Sequence, residues 1–334
     1  MTETREAPSV VDRTRPVSAG VAVVGVHFLG KTAVFALAEE AVLLAAHDGS
    51  EQRVTVHAGG ILASAGDRAR VVTGGDDGKV MAVDAHGQTS VVGEDPKRRW
   101  IDHVAAGPDG AVAWSAGKSA FARTGKGEPR TIETPSTAGG LAFAPKGVRL
   151  AVAHYNGVSL WFPNAAAAPE RLEWKGSHLA VSFSPDGKFL VTAMQEPMLH
   201  GWRVVDRKHM RMSGYSGKVR SLGWTADGKW LASSGAEQLI LWPFQSKDGP
   251  MGQSPRMLAP YPARAVIVAC HPRDAVVAVG YADGLLLLVR VEDGAEILAK
   301  KPGAAPVSAL AWRADGKALA FGTEGGEAGV IDLT

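Results

Sequence analysis

Gly25 to Thr32 reads GVHFLGKT, which satisfies the phosphate-loop spacing GxxxxGK[ST]. In that chemistry backbone amides cradle a nucleotide's phosphates, Lys31 reaches the terminal ones, Thr32 binds magnesium, and Asp84 supplies a metal-holding carboxylate. The loop interior, Val26-His27-Phe28-Leu29, is bulky where a cradle needs close backbone approach. Gly30-Lys31 also repeats at Gly187-Lys188, Gly228-Lys229 and Gly316-Lys317, which is how a recurring turn behaves. The ten histidines show no HxH, HxxxH or HExxH spacing, and there is no Gly-x-Ser-x-Gly elbow. Cys270, the one cysteine, has no partner for a disulfide and reads as a small core residue. The Asp-Gly pairs at Asp109, Asp186, Asp227 and Asp315 recur at equivalent places and read as hairpin turns. No catalytic residue, metal ligand or cofactor is expected.

The elements that would position these residues form a repeat. An apolar alternating strand, a tight turn, a second apolar strand, a polar connector and a third strand recur from Val21, Ile61, Ile101, Gly140, His178, Val219, Ala265 and Val307. The turns near Gly30, Gly66, Gly110, Gly147, Gly187, Gly228, Asp274 and Gly316 are spaced by 36 to 46 residues. That period, with a further stretch such as Glu128 to Ser136 supplying a fourth strand, is the one propeller blades produce. Arg13 to Ser18 is expected to complete the last blade, because the last copy ends at Thr334 after its third strand. If Gln52 to His57 closed the ring instead, the first copy would be an appendage.

With Trp161, Trp202 and Trp242 on third strands, the sequence resembles bacterial members of the WD-repeat propellers, although the aspartate of the Trp-Asp pair is missing. The expectation is a single all-β propeller over residues 13–334, with eight four-stranded blades or alternatively seven, and residues 1–12 as a flexible tail. The resemblance implies a rigid, non-enzymatic scaffold for another protein or peptide, and suggests a metal-handling GTPase as partner. An enzyme with a metal-dependent site at the channel mouth is the alternative.

Charge and composition limit the other classes. Lys and Arg number 36 against 34 Asp and Glu, a net charge of +2, so no global field favours nucleic acid or an anionic membrane. The amino terminus lacks an apolar signal segment and no apolar run is long enough to span a bilayer, so a cytoplasmic monomer is expected.

In such a propeller one face is built by the connectors between fourth and first strands and between second and third strands. Tyr155, Tyr215, Tyr261 and Tyr281 all map to these connectors, with Trp100, Asp102, His103, His178, Arg220 and Arg264 beside them. Tyrosine, tryptophan and arginine anchor interfaces because they bury large areas while keeping a polar handle. These ten residues form the expected protein-binding face.

Overall fold

A computed structural model describes residues 8–334. The copy beginning at His178 shows how the repeat folds. Its first strand ends at Phe183, and Phe189–Met194, Leu199–Arg203 and His209–Met212 follow, each antiparallel to the one before. At the first turn Asp186 accepts hydrogen bonds from the Ser184 hydroxyl (2.7 Å) and the Lys188 amide (3.0 Å), and Gly187 adopts φ +75°. Asp227 and Gly228 build the same turn from Thr225 and Lys229. Local chemistry therefore fixes each reversal, and the aspartates are occupied in holding it.

Phe189–Met194 is buried at every position, on both faces. This follows from sheets packed face to face around a ring, where each inner strand pair is covered from both sides. Fourth strands such as Glu51–Thr55 lie at the rim and are mostly exposed. Each core cluster accordingly mixes residues of two neighbouring copies: Val26, Phe35 and Leu43 pack with Ala309, Ala320 and Ala328.

The backbone hydrogen bonds connect into seven sheets, six of four strands and one of six. The count of sheets is that of the alternative, seven, and corrects the expectation of eight four-stranded blades. The six-stranded sheet holds the copies that begin at Gly140 and His178, joined through the long strands Leu150–Trp161 and Glu170–Phe183. Leu150–Trp161 pairs with Gly140–Phe143 through its first half and with Glu170–Glu173 through its second. Between the halves Asn156 and Gly157 have φ +67° and +141°, and the Arg149 guanidinium lies 5.0 Å over the Phe162 ring, so the two ends stand side by side. Glu170–Phe183 then runs from the rim of one copy to the inner edge of the next, where His178–Phe183 pairs with Phe189–Met194.

Closure comes from Thr14–Val17, which pairs with Ala328–Asp332 in the register Thr14↔Ile331 to Val17↔Ala328. Glu51–Thr55 stays in its own copy against Ala41–Ala45, so the first copy is part of the ring. Of the expected tail, residues 1–7 lie outside the described residues. Pro8 and Val10 take up the backbone groups of Leu298 at 2.8 and 2.9 Å. Among the described residues no helix is long and apolar enough to cross a membrane.

Candidate protein-binding face

The nucleotide reading ends at the first turn. Leu29 pairs with Thr32, leaving Gly30-Lys31 as a two-residue hairpin with Gly30 at φ +61°, and no helix follows for a phosphate to cap. Asp84 accepts the backbone amides of His86 (2.8 Å) and Gln88 (2.9 Å) and is a turn residue too. Among the described residues no group of three or more His, Cys, Asp or Glu side chains is placed to hold a metal ion.

On the connector face a cleft of about 770 Å³ is lined by Ser136, Tyr155, Arg171, Trp174 and Lys175 with His154 behind them. Tyr155 stands at the Asn156-Gly157 reversal with 52% of its surface exposed. Its amide donates to the Ser136 hydroxyl (2.8 Å), and His154 Nδ1 donates to its carbonyl (2.9 Å), so the backbone that carries the ring is fixed on both sides. The cleft wall is fixed as well. Trp174 stacks on His200 at 4.0 Å, and its carbonyl accepts from His178 Nε2 at 3.0 Å.

Trp100 is 62% exposed and is presented by a braced loop. The buried Asp95 carboxylate accepts the amides of Lys97 (3.0 Å) and Arg99 (2.9 Å) and two guanidinium contacts from Arg99 (2.7 and 3.1 Å). These contacts outweigh the cost of burying Asp95 and hold its carboxyl below the usual carboxylate range. Asp102 is half-buried beyond Trp100, and His103 is half-buried on its strand, where burial lowers its pKa.

Three expected anchors turn inward, which corrects the reading of all ten residues as one presented surface. His178 is buried, with Nδ1 2.7 Å from the Thr192 hydroxyl. Tyr215 is buried with its hydroxyl between Ser233 and Trp242, and burial pushes its pKa up to about 12. Tyr281 has no exposed surface and donates to the Ala259 carbonyl at 2.6 Å. Sheet ends carry backbone and side-chain polar groups without ladder partners, and a phenol there both fills space and satisfies one. Tyr261 is intermediate, its hydroxyl on Asp283 at 2.8 Å and its ring edge-on to Tyr281. Arg220 and Arg264 are exposed and line a second cleft of about 260 Å³ with Lys218 and Glu324.

Trp174 was absent from the expected anchors, because it precedes its connector on a strand that continues through it. Its sequence signal was an aromatic directly before Lys175-Gly176.

Residues 207–242 match the WD40 family, described as WD domain, G-beta repeat. The chain is a β-propeller, and this stretch of it matches the WD40 repeat. The matched stretch contains the Tyr215, Ser233 and Trp242 hydrogen-bonded group and the Asp227-Gly228 turn, which build the fold. No curated protein matches the chain. Among solved structures it is similar to the crystal structure of the computationally designed Ika8 protein, with a TM-score of 0.78 at 16% identity over 94% of this chain and 96% of that one. This likeness concerns the fold alone.

Proposed function

We propose that this WD40-repeat propeller is a non-enzymatic platform that binds another protein or an extended peptide through its connector face. The observation that carries the reading is Tyr155: an aromatic ring, half exposed, on a braced reversal over the cleft of about 770 Å³, with Trp174 and the cations Arg171 and Lys175 beside it. Rigid presentation of such side chains lowers the entropy lost on binding. On the opposite face the turn lysines Lys188 and Lys229 are engaged by Asp186 (2.9 Å) and Asp227 (3.2 Å), which reduces what they offer a partner.

The six-stranded sheet is read as two blades that share a continuous strand, giving eight blade positions around the channel. Support comes from the fold-back at Asn156-Gly157 and from the first strands of the Gly140 and His178 copies, which lie next to each other with Gly140 against Ala180. A metal-handling GTPase in the cytoplasm is the partner the sequence resemblance suggests.

The test is affinity capture from a lysate of the source organism with wild type and with the Trp100→Ala, Tyr155→Ala double variant. Both side chains are exposed, so the variant should keep its melting temperature. A partner lost only from the variant is the expected result, and identical capture by both proteins would remove Trp100 and Tyr155 as anchors.

A further inference from the structure

The second cleft of the connector face differs from the first in its electrostatics. Lys218, Arg220 and Arg264 converge on it against one carboxylate, Glu324. Arg220 makes no side-chain hydrogen bond or ion pair among the described residues, so its guanidinium donors are free for a ligand. Lys218 donates only to the neutral amide oxygen of Gln195, at 2.8 Å. The carboxylate nearest Arg264 is Glu237, at 3.9 Å, too far for a hydrogen bond.

The placement of these cations is built into the backbone. Gly217 donates to the Gly235 carbonyl (2.9 Å), Gly235 donates to Ala265 (2.9 Å), and Ala265 donates to Ala236 (2.8 Å). The Arg264 carbonyl accepts from Ala282 at 2.9 Å. One reversal, Gly235-Ala236, thus ties together the two connectors that carry the three cations. Gly217 also makes room for the arginine. A β-carbon at that position would stand 2.5 Å from Arg264 Cζ and 2.6 Å from its Nη1, so the guanidinium rests on the glycine and is turned into the notch.

We infer that this notch is an anion-binding subsite that receives an acidic side chain, carboxylate or phosphoryl, of a peptide crossing the connector face. Two guanidinium groups on neighbouring connectors, that of Arg220 without a partner among the described residues and that of Arg264 with only Glu237 at 3.9 Å, match an oxyanion that can accept several N–H donors at once. The inference rests on the connector face being the binding face, and it adds a charge requirement to the partner: an acidic or phosphorylated residue positioned to reach Arg220 and Arg264.

The experiment is fluorescence anisotropy with two labelled peptides of glycine and serine, one carrying a central run of glutamates and the other a central phosphoserine. Each is titrated with wild type and with the Arg220→Gln, Arg264→Gln double variant, the Gly217→Ala variant and, as a control on the opposite face, the Lys188→Gln variant. Binding by wild type that weakens at least tenfold in the double variant, weakens in Gly217→Ala, holds in Lys188→Gln and falls as salt is raised is the expected result. The tighter of the two peptides identifies the group the notch takes. Gly217 has no positive φ, so alanine there shifts a side-chain end and leaves the fold intact, which unchanged melting would show. Equal binding by wild type and the double variant, an equal loss in Lys188→Gln, or no binding by wild type would each overturn the subsite. None of these outcomes bears on partner capture through Trp100 and Tyr155, so the two readings fail separately.

Discussion

The indole Nε1 of Trp242 donates to the phenolic oxygen of Tyr215 at 2.7 Å, and the same oxygen lies 2.7 Å from the Ser233 hydroxyl. A third-strand tryptophan is thereby bonded through a tyrosine to a second-strand serine, and Tyr215 is spent on the fold. Tyr215→Phe keeps the ring but leaves the buried Trp242 Nε1 donor without its acceptor, while Ser233 still donates to the Ile240 carbonyl, a loss of about 1–3 kcal/mol. Urea denaturation should show a lower midpoint with an unchanged slope, while partner capture stays at the wild-type level.

Acid sensitivity should centre on His200. It is buried, neither ring nitrogen has a hydrogen-bond partner, and burial together with His178, His209 and Arg211 lowers its pKa to about 3. His27, enclosed beside Ser64, is lowered to about 4 by burial. Both values lie below the unfolded value of 6.5, so the unfolded chain binds more protons between these limits. Stability is complete above about pH 6.5 and falls as the pH drops toward 3. Denaturation midpoints should decline as the pH is lowered from about 7.5 to about 5. His200→Leu should flatten that decline and cost little at neutral pH, because it removes two unsatisfied nitrogens.

Cys270 should be inert while the protein is folded. Its thiol is pushed up to about 12 by burial and lies against Gly223, so almost no thiolate forms near neutral pH. Alkylation by iodoacetamide should be slow in buffer and rapid in denaturant. Equal rates would show an accessible, activated sulfur.

Deleting residues 1–17 should open the ring. Thr14–Val17 is the last strand paired to Ala328–Asp332, and Val17 and Ala19 lie in the core beside Ala328. Losing the ladder bonds and the buried apolar surface is worth roughly 3–5 kcal/mol. Thermal unfolding should shift down accordingly and become concentration-dependent as the freed strand edge seeks partners.

Much of the architecture was legible in the sequence because its causes are local. Asp186-Gly187 and Asp227-Gly228 fix their turns with their own side chains, and the alternation in Leu222–Trp224 or Val307–Trp312 reports a strand face directly. Closure by Thr14–Val17 followed from chain order. The joining of two copies into one sheet was not legible, since it depends on how Asn156-Gly157 folds and on Glu170–Phe183 running unbroken. The site was less legible than the fold. A connector position says where a tyrosine begins but not which way its ring turns, and Tyr215 and Tyr281 turned into the sheets while Tyr155 turned out. The Arg264 notch depends on Gly217, far from it in the sequence and beside it in space.

The most direct test of the connector face is site-specific photo-crosslinking. A photoreactive amino acid replaces Tyr155, or replaces Val205, which is 87% exposed and adjoins the turns of the opposite face. The proteins are irradiated in cells of the source organism. A discrete crosslinked product from position 155 and none from position 205 is the predicted result. A product from position 205 alone would place the partner on the other face and contradict the account.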